Sequence, residues 1–312
     1  MDPSGTGAVK MPPLAQVGMV VKDIDKVMEF YSSTFSIGPW VTREGESEAK
    51  ADDRMYKYRT RAAFAQLGPV TLELFQLTEG RSPVHSEFLD KGREGVHHLG
   101  FYMNNKEKEQ IVADLAKAGV NVAQSAEIKG RGNNAFLDTE KIGGLFFELI
   151  GATPQPIAET PRPAGKVTLP PTLQIGMVVK DLDRVIEFYS STFGIGPWET
   201  REGGGQTKVG DQIYAFKNRV SFAQLGPVIL ELFQVTDGRS PVHAVYLDKG
   251  REGVHHLGFY MSNKEKEQMT SALAEIGINM IQGRKTEHGS YAFFDTERIG
   301  GLFFELVSRD RW

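Results

Sequence analysis

The chain is written twice. LDKGREGVHHLGFYM at 89–103 returns unchanged at 247–261, EFYSSTF at 29–35 returns at 187–193, and GGLFFEL at 143–149 returns at 300–306. The offset is 158 residues over most of the length and 157 after a one-residue deletion near the end. A duplication on this scale demands two halves of one architecture, each long enough to bury a core. It also makes one sequence into a comparison of two, because any residue kept in both copies has survived separate drift.

Six prolines between residues 151 and 171, with no apolar periodicity among them, mark an extended and stiff connection. The expected organisation is a flexible N-terminus at 1–11, a first domain at 12–150, a linker at 151–169 and a second domain at 170–312. The N-terminal segment lacks the charged-then-apolar layout of a signal peptide, and no apolar run approaches the ~18 residues that span a bilayer. A formal net charge of −4 gives no electrostatic case for nucleic acid or an acidic membrane. The expectation is a cytoplasmic monomer or homodimer whose partner is a small molecule. There are no cysteines, so any metal must be held by nitrogen and oxygen ligands.

Within each half the pattern repeats again, more faintly. LAQVGMVV at 14–21 is a short apolar run, and Asp23 can cap the helix IDKVMEFYSSTF, whose Ile24, Val27, Met28 and Tyr31 recur at helical spacing. VHHLGFYM at 96–103 is again a strand; Asn104 or Asn105 caps KEKEQIVADLAKAG, and Gly119 ends it. Strong strands close each quarter, VTLELFQL at 70–77 and GGLFFELI at 143–150. The order strand, helix, then about three strands predicts an α+β fold of four βαβββ modules. Such a module cannot bury its sheet alone, so modules should pair into two domains.

Side chains alternate across a strand, which assigns a face to each polar residue in these runs. Gln16 shares a face with Gly18, Glu73 with Thr71 and Phe75, His98 with Gly100 and Tyr102, and Glu148 with Phe146. The opposite faces are uninterruptedly apolar, as expected beneath a helix. Gln174, Glu231, His256 and Glu305 repeat the four in the second half. Alone, each would read as a rim or hydrogen-bonded residue. Together they are two carboxylates, an amide oxygen and an imidazole converging in a cup, which is a set of donors for a divalent metal. By the same alternation His97 and His255 fall on the helix side, so the His-His doublet does not read as a bidentate motif. The pattern leaves open whether a cup forms within one half or pairs Gln16 and Glu73 with His256 and Glu305.

These residues resemble the vicinal oxygen chelate superfamily, which includes glyoxalase I, methylmalonyl-CoA epimerase, extradiol dioxygenases and bleomycin-resistance proteins. The resemblance covers 14–150 and 172–307 and is carried by the opening xGMVVKDxDxxxEFY, the VHHLGFY strand and the closing GGLFFEL strand. It implies two glyoxalase-like domains with metal ligands on the first and last strand of each module. The order Gln, Glu, His, Glu is similar to that of eukaryotic glyoxalase I, whereas the dioxygenases use two His and one Glu. The resemblance therefore implies a metal-dependent lyase, isomerase or epimerase that removes a proton next to a carbonyl, with Glu148 and Glu305 as the base. Zinc is the implied ion, and Ni, Co, Mn or Fe also suit such donors. An extradiol-type dioxygenase and a non-catalytic binder are the alternatives. Glyoxalase I has an Arg four residues after the first-strand Gln and an Asn four after the second ligand. Here Val20 and Val178, and Leu77 and Val235, stand there, and Arg93 and Arg251 are one residue out of step with the remaining glutathione contact. That puts glutathione as co-substrate in doubt.

Outside the ligand pattern, Trp40 and Trp198 are expected to pack after a helix, and GRSPVH at 80–85 and 238–243 to be a solvated loop. The halves diverge most at 43–63 against 201–221 and at 121–135 against 279–292, so the two sites are expected to differ in substrate preference.

Overall fold

The computed structural model describes residues 7–128, 132–154, 156–157, 161–209, 211–286 and 289–309. Its first module runs β1 (Gln16–Val20), α1 (Ile24–Phe35), β2 (Val41–Ala51), β3 (Arg54–Leu67) and β4 (Val70–Gly80). A short helix α2 (Pro83–Asp90) leads to the second module, β5 (Gly95–Met103), α3 (Asn105–Lys117), β6 (Val122–Ile128), β7 (Gly132–Leu137) and β8 (Phe146–Gly151). The second half repeats this. Its first module is β9 (Thr172–Val178), α4 (Leu182–Phe193), β10 (Glu199–Val209), β11 (Gln212–Leu225) and β12 (Val228–Gly238), followed by α5 (Pro241–Leu247). Its second module is β13 (Gly253–Met261), α6 (Asn263–Ala274), β14 (Met280–Thr286), β15 (Gly289–Phe294) and β16 (Phe303–Arg309).

Helix α1 starts where the sequence predicts, because Asp23 accepts from the backbone N–H of Lys26 at 3.0 Å. Its buried stripe is Ile24, Val27, Tyr31, Thr34 and Phe35. Asn104 and Glu107 form a reciprocal capping box at the start of α3. Strand β8 is shorter than expected, since Gly143 and Gly144 form a left-handed turn at φ 85° and 71° rather than joining the strand.

Each half makes its own sheet, which settles the pairing the sequence left open. The first is a closed barrel in the order β1-β4-β3-β2-β6-β7-β8-β5, and the second is an eight-stranded sheet in the order β10-β11-β12-β9-β13-β16-β15-β14. The modules meet where β1 lies antiparallel to β5, and β9 to β13. Closure of the first half rests on two register pairs, Ala49 with Ala126 and Lys50 with Ser125. In β10 the matching residues are Thr207 and Lys208; a few residues earlier, Gly204 and Gly205 sit at φ 150° and 155°, backbone that side-chain-bearing residues rarely adopt. Among the described residues β10 and β14 form no ladder, so the second sheet stays open where the first closes.

The apolar faces of both sheets and their helices form one continuous core. The rings of Tyr31 and Phe35 lie 5.3 and 4.7 Å from Phe304 of the other half. Tyr189 and Phe193 meet Phe147 in the same way, at 5.4 and 4.8 Å. The lead-in to each half crosses to the other's helix: Ala8 and Val9 donate to Ser191 and Thr192, while Lys166 and Val167 donate to Ser33 and Thr34. Val9 and Leu14 are buried, so the stretch expected to be flexible through residue 11 is seated from residue 7 on. The signal was present as the repeated Val9…Pro12–Pro13 and Val167…Pro170–Pro171. No helix among the described residues is long and apolar enough to cross a membrane.

Candidate metal centre

Strand register places the four polar residues of each half in two adjacent rows. Glu73 and His98 both lie opposite Gly18, and Gln16 and Glu148 both lie opposite Gly100. Each glycine leaves the gap into which its neighbours lean. A Cβ on Gly18 would fall 1.9 Å from His98 Nε2, and one on Gly100 would fall 2.9 Å from Gln16 Cβ. Gly176 and Gly258 do the same for Glu231 with His256 and for Gln174 with Glu305.

The side chains converge. His98 Nε2 lies 3.1 Å from Glu73 Oε2 and 3.3 Å from Glu148 Oε2. Gln16 Nε2 lies 2.7 Å from Glu73 Oε2, 3.4 Å from His98 Nε2 and 3.5 Å from Glu148 Oε2. In the second half His256 Nε2 is 3.5 and 3.3 Å from Glu231 and Glu305, and Gln174 reaches all three. Glu73–His98–Glu148 and Glu231–His256–Glu305 are groups able to hold a metal ion.

The spacing suits a cation. Donors about 2.1 Å from an ion at right angles lie roughly 3.0 Å apart, and tetrahedral ones slightly more. The observed separations of 2.7–3.5 Å fall in that window. The Gln16 amide accommodates either role: its Oε1 accepts from the Tyr102 hydroxyl at 3.0 Å, and a hydroxyl accepts as readily as it donates if the amide turns.

Without an ion the electrostatics fall on the histidines. Burial opposes the charge on His98, but Glu148 and Glu73 beside it outweigh burial and lift it to about 9. His256 is raised to about 9 by Glu305 and Glu231 against the same penalty. Burial pushes the Glu73 carboxyl up, with His98 opposing. A proton on the imidazole, held between two carboxylates, thus keeps the cluster together where a cation would.

One expectation fails at the doublet. The ladder between β1 and β5 shifts register, so that His98 opposes Gly18 while Val96 opposes Met19, leaving His97 as the extra residue of a bulge. Val96 and Leu99 remain in the apolar core, and His97 turns inward, away from the helix side that strict alternation predicts. Its ring stacks between His85 at 4.8 Å and Phe146 at 4.8 Å, and His85 stacks in turn on Phe75 at 4.1 Å. His255 repeats the arrangement with His243 and Phe303. The doublet is still not a bidentate pair: His97 Nδ1 faces His98 Nδ1 at 3.2 Å and its Nε2 faces the Val84 carbonyl at 3.2 Å.

Other residues fall away from the cup or into it. GRSPVH is a helix start, not a solvated loop; His85 and Ser82 are buried, and Arg81 pairs with Asp90. Ser-Pro as cap and first helical residue was the readable signal. Trp40 packs, donating to Ser32 Oγ at 2.9 Å. Arg93 pairs with Glu140, and Arg251 donates to the Glu94 carbonyl of the opposite half. Asn134, which the sequence reading missed, donates to Glu148 Oε1 at 2.6 Å. The residue on β15 at the same distance from the strand's first glycine is Tyr291.

Over the first site stands a cavity of about 500 Å³ whose walls include Arg43, Tyr58, Phe64 and Tyr102, with Pro154 and Ile157 of the linker at its edge.

Paired βαβββ modules forming two cups, each with an amide, an imidazole and two carboxylates at its floor, define the vicinal-oxygen-chelate architecture. A sequence profile of the Glyoxalase/Bleomycin resistance protein/Dioxygenase superfamily matches residues 15–137 and 173–294, and the chain belongs to that superfamily. The uncharacterized protein YqjC of Bacillus subtilis strain 168 is 30% identical over 135 residues, 42% of this chain and 87% of YqjC. Among solved structures, a mutant 4-hydroxymandelate synthase from Streptomyces coelicolor is similar over 96% of this chain and 94% of its own, at 16% identity and a TM-score of 0.60. Homoprotocatechuate 2,3-dioxygenase from Arthrobacter globiformis is similar over 98% and 82%, at 16% identity and a TM-score of 0.56. At such identities the likeness is one of fold.

Proposed function

We propose that the protein is a divalent-metal-dependent lyase, isomerase or epimerase that moves a proton next to a carbonyl on a small molecule with two adjacent oxygens. Gln16, Glu73, His98 and Glu148 would hold one ion, and Gln174, Glu231, His256 and Glu305 a second. The observation that carries this reading is the convergence of those donors at 2.7–3.5 Å beneath a cavity of about 500 Å³. A divalent ion bound there supplies Lewis-acid polarisation of the two substrate oxygens, zinc being the first choice through the superfamily resemblance.

The chain's own groups supply the rest. Glu148 and Glu305 are the candidate bases, each on the last strand of its half. Asn134 holds Glu148 Oε1, so Oε2 is the oxygen directed at the site. Tyr102, whose phenol is pushed up by burial and by Glu73 and Glu148, stays neutral and fixes the Gln16 amide. Tyr58, Phe64 and Tyr102 line the cavity in which that proton transfer would take place.

The test is Glu148→Gln combined with Glu305→Gln, assayed on metal-replete protein against 2-oxoaldehydes with and without thiols, acyl-CoA esters and catechols. Turnover should fall by several powers of ten, each worth ~1.4 kcal/mol of barrier. Undiminished turnover would refute the base assignment. A dioxygenase is the second reading, since fold-mates carry that activity in their names. Non-haem iron oxygenases use two imidazoles and one carboxylate, whereas each cup here offers one imidazole and two carboxylates. Iron content with oxygen uptake on catechols would decide for it.

A further inference from the structure

Outside both cups, the two halves differ at a buried lysine. Lys108, near the start of α3, is 7% exposed, and its ammonium makes no hydrogen bond or ion pair with any described residue. Burial weighs against its charge, while Glu109 and Glu148 hold it up through space. An ammonium taken out of water without a paired counter-ion is costly, so an anion that reaches it gains more than it would at an exposed lysine.

The duplicate shows the satisfied version. Lys266, the equivalent residue, donates to Ser290 Oγ, which is joined to Ser308 Oγ at 2.7 Å. In the first half those two positions are Asn133 and Gly151. Asn133 Oδ1 is buried without a partner, and Gly151 brings no hydroxyl.

Lys108 lines a groove of about 650 Å³ that runs along α3 past Val112, Ala113 and Ala116, over Val122 and Ser125 of β6 and Ala135 of β7. Ser125 and Ala135 are chain neighbours of Ala126 and Asn134, which line the first cup. By strand alternation the groove and the cup therefore lie on opposite faces of β6 and β7. From Lys108 to Ala116 the helix rises about 12 Å, room for an extended chain of several carbons. In the second half Thr270 and Ser271 replace Val112 and Ala113. The apolar wall thus accompanies the unpaired lysine, and the polar wall accompanies the paired one. The rim carries both signs: Lys50 pairs with Asp53 at 3.0 Å, and Asp52 and Glu109 are exposed, where solvent screens them.

We propose that this groove is a binding site for a small aliphatic monocarboxylate, with its head on Lys108 and its chain along Val112, Ala116 and Ala135, and that the second half has no counterpart. The tail contributes through apolar burial and the head through a charge-assisted hydrogen bond. The site is separate from both metal centres and does not depend on their occupancy.

The experiment is calorimetry on full-length protein, metal-free and zinc-loaded, with octanoate, hexanoate, octan-1-ol and octylammonium as probes. Octanoate should bind more tightly than hexanoate by about tenfold, the effect of two further buried methylenes. It should also exceed octan-1-ol by about tenfold, the scale of one hydrogen bond to a charged group. Lys108→Met should erase the preference for acid over alcohol and leave the alcohol's affinity unchanged, whereas Lys266→Met should alter neither. Ala113→Phe, which fills the groove and keeps Lys108, should abolish binding of both. Octanoate affinity that survives Lys108→Met and Ala113→Phe would overturn the assignment, as would tighter binding of octylammonium or no octanoate binding by the wild type. Binding seen with zinc alone would put the carboxylate in a cup and equally remove the groove site.

Discussion

His97 Nδ1 lies 3.2 Å from His98 Nδ1 and its Nε2 lies 3.2 Å from the Val84 carbonyl oxygen, an arrangement repeated at His255, His256 and Val242. Burial holds His97 far below the ordinary imidazole range, so it is neutral. Its one N–H donates to the carbonyl, and its bare nitrogen accepts from His98 Nδ1–H. That fixes which His98 nitrogen faces the carboxylates.

His97→Phe keeps the stack between His85 and Phe146 and removes both hydrogen bonds. Zinc affinity of the first cup should fall about 10- to 100-fold, with the second cup unchanged. Competition against a chromogenic chelator resolves the two sites; an unaltered first site would show that the bulged histidine only packs.

Gly18→Ala should displace His98, because the new methyl would sit 1.9 Å from Nε2. Gly176→Ala should do the same to His256. Each single variant is expected to bind one zinc fewer per chain by elemental analysis. Full stoichiometry in the double variant would mean the ions are held elsewhere.

The histidines also set a pH dependence. In metal-free protein His98 rises from 6.5 to about 9, so its charge adds stability that is complete below pH 6.5 and lost as pH climbs through 9. Melting of the metal-free protein should weaken across that window. Adding zinc at neutral pH should release about one proton per cup, seen as a buffer-dependent heat. An enthalpy independent of buffer would contradict a protonated His98.

The halves should unfold as one body. Phe147 and Phe304 are buried to within 1% of full and each packs on the other half's helix. Phe147→Ala or Phe304→Ala should cost about 3–5 kcal/mol, and denaturant should still show a single transition. Two separated transitions in the wild type would mean that the shared core does not couple them.

Much of the cup is legible in the sequence. The Asp23 cap, the α1 stripe and the choice of Gln16, Glu73, His98 and Glu148 as residues on one face all follow from period-two and 3.6-residue patterns reinforced by the repeat. Asn134 was not legible, because an Asn on a meander strand carries no pattern and its partner Glu148 lies 14 residues away across a ladder.

Local sequence thus determined the modules, their capping and which side chains share a face, since these depend on backbone periodicity and neighbours a few residues away. Tertiary structure alone decided that each cup closes within its own half and that the helices interleave across the pseudo-symmetric interface. It also decided that a bulge turns His97 inward. Those outcomes depend on strand register and packing between segments far apart in the chain, where a shift of one residue reverses the direction of every side chain.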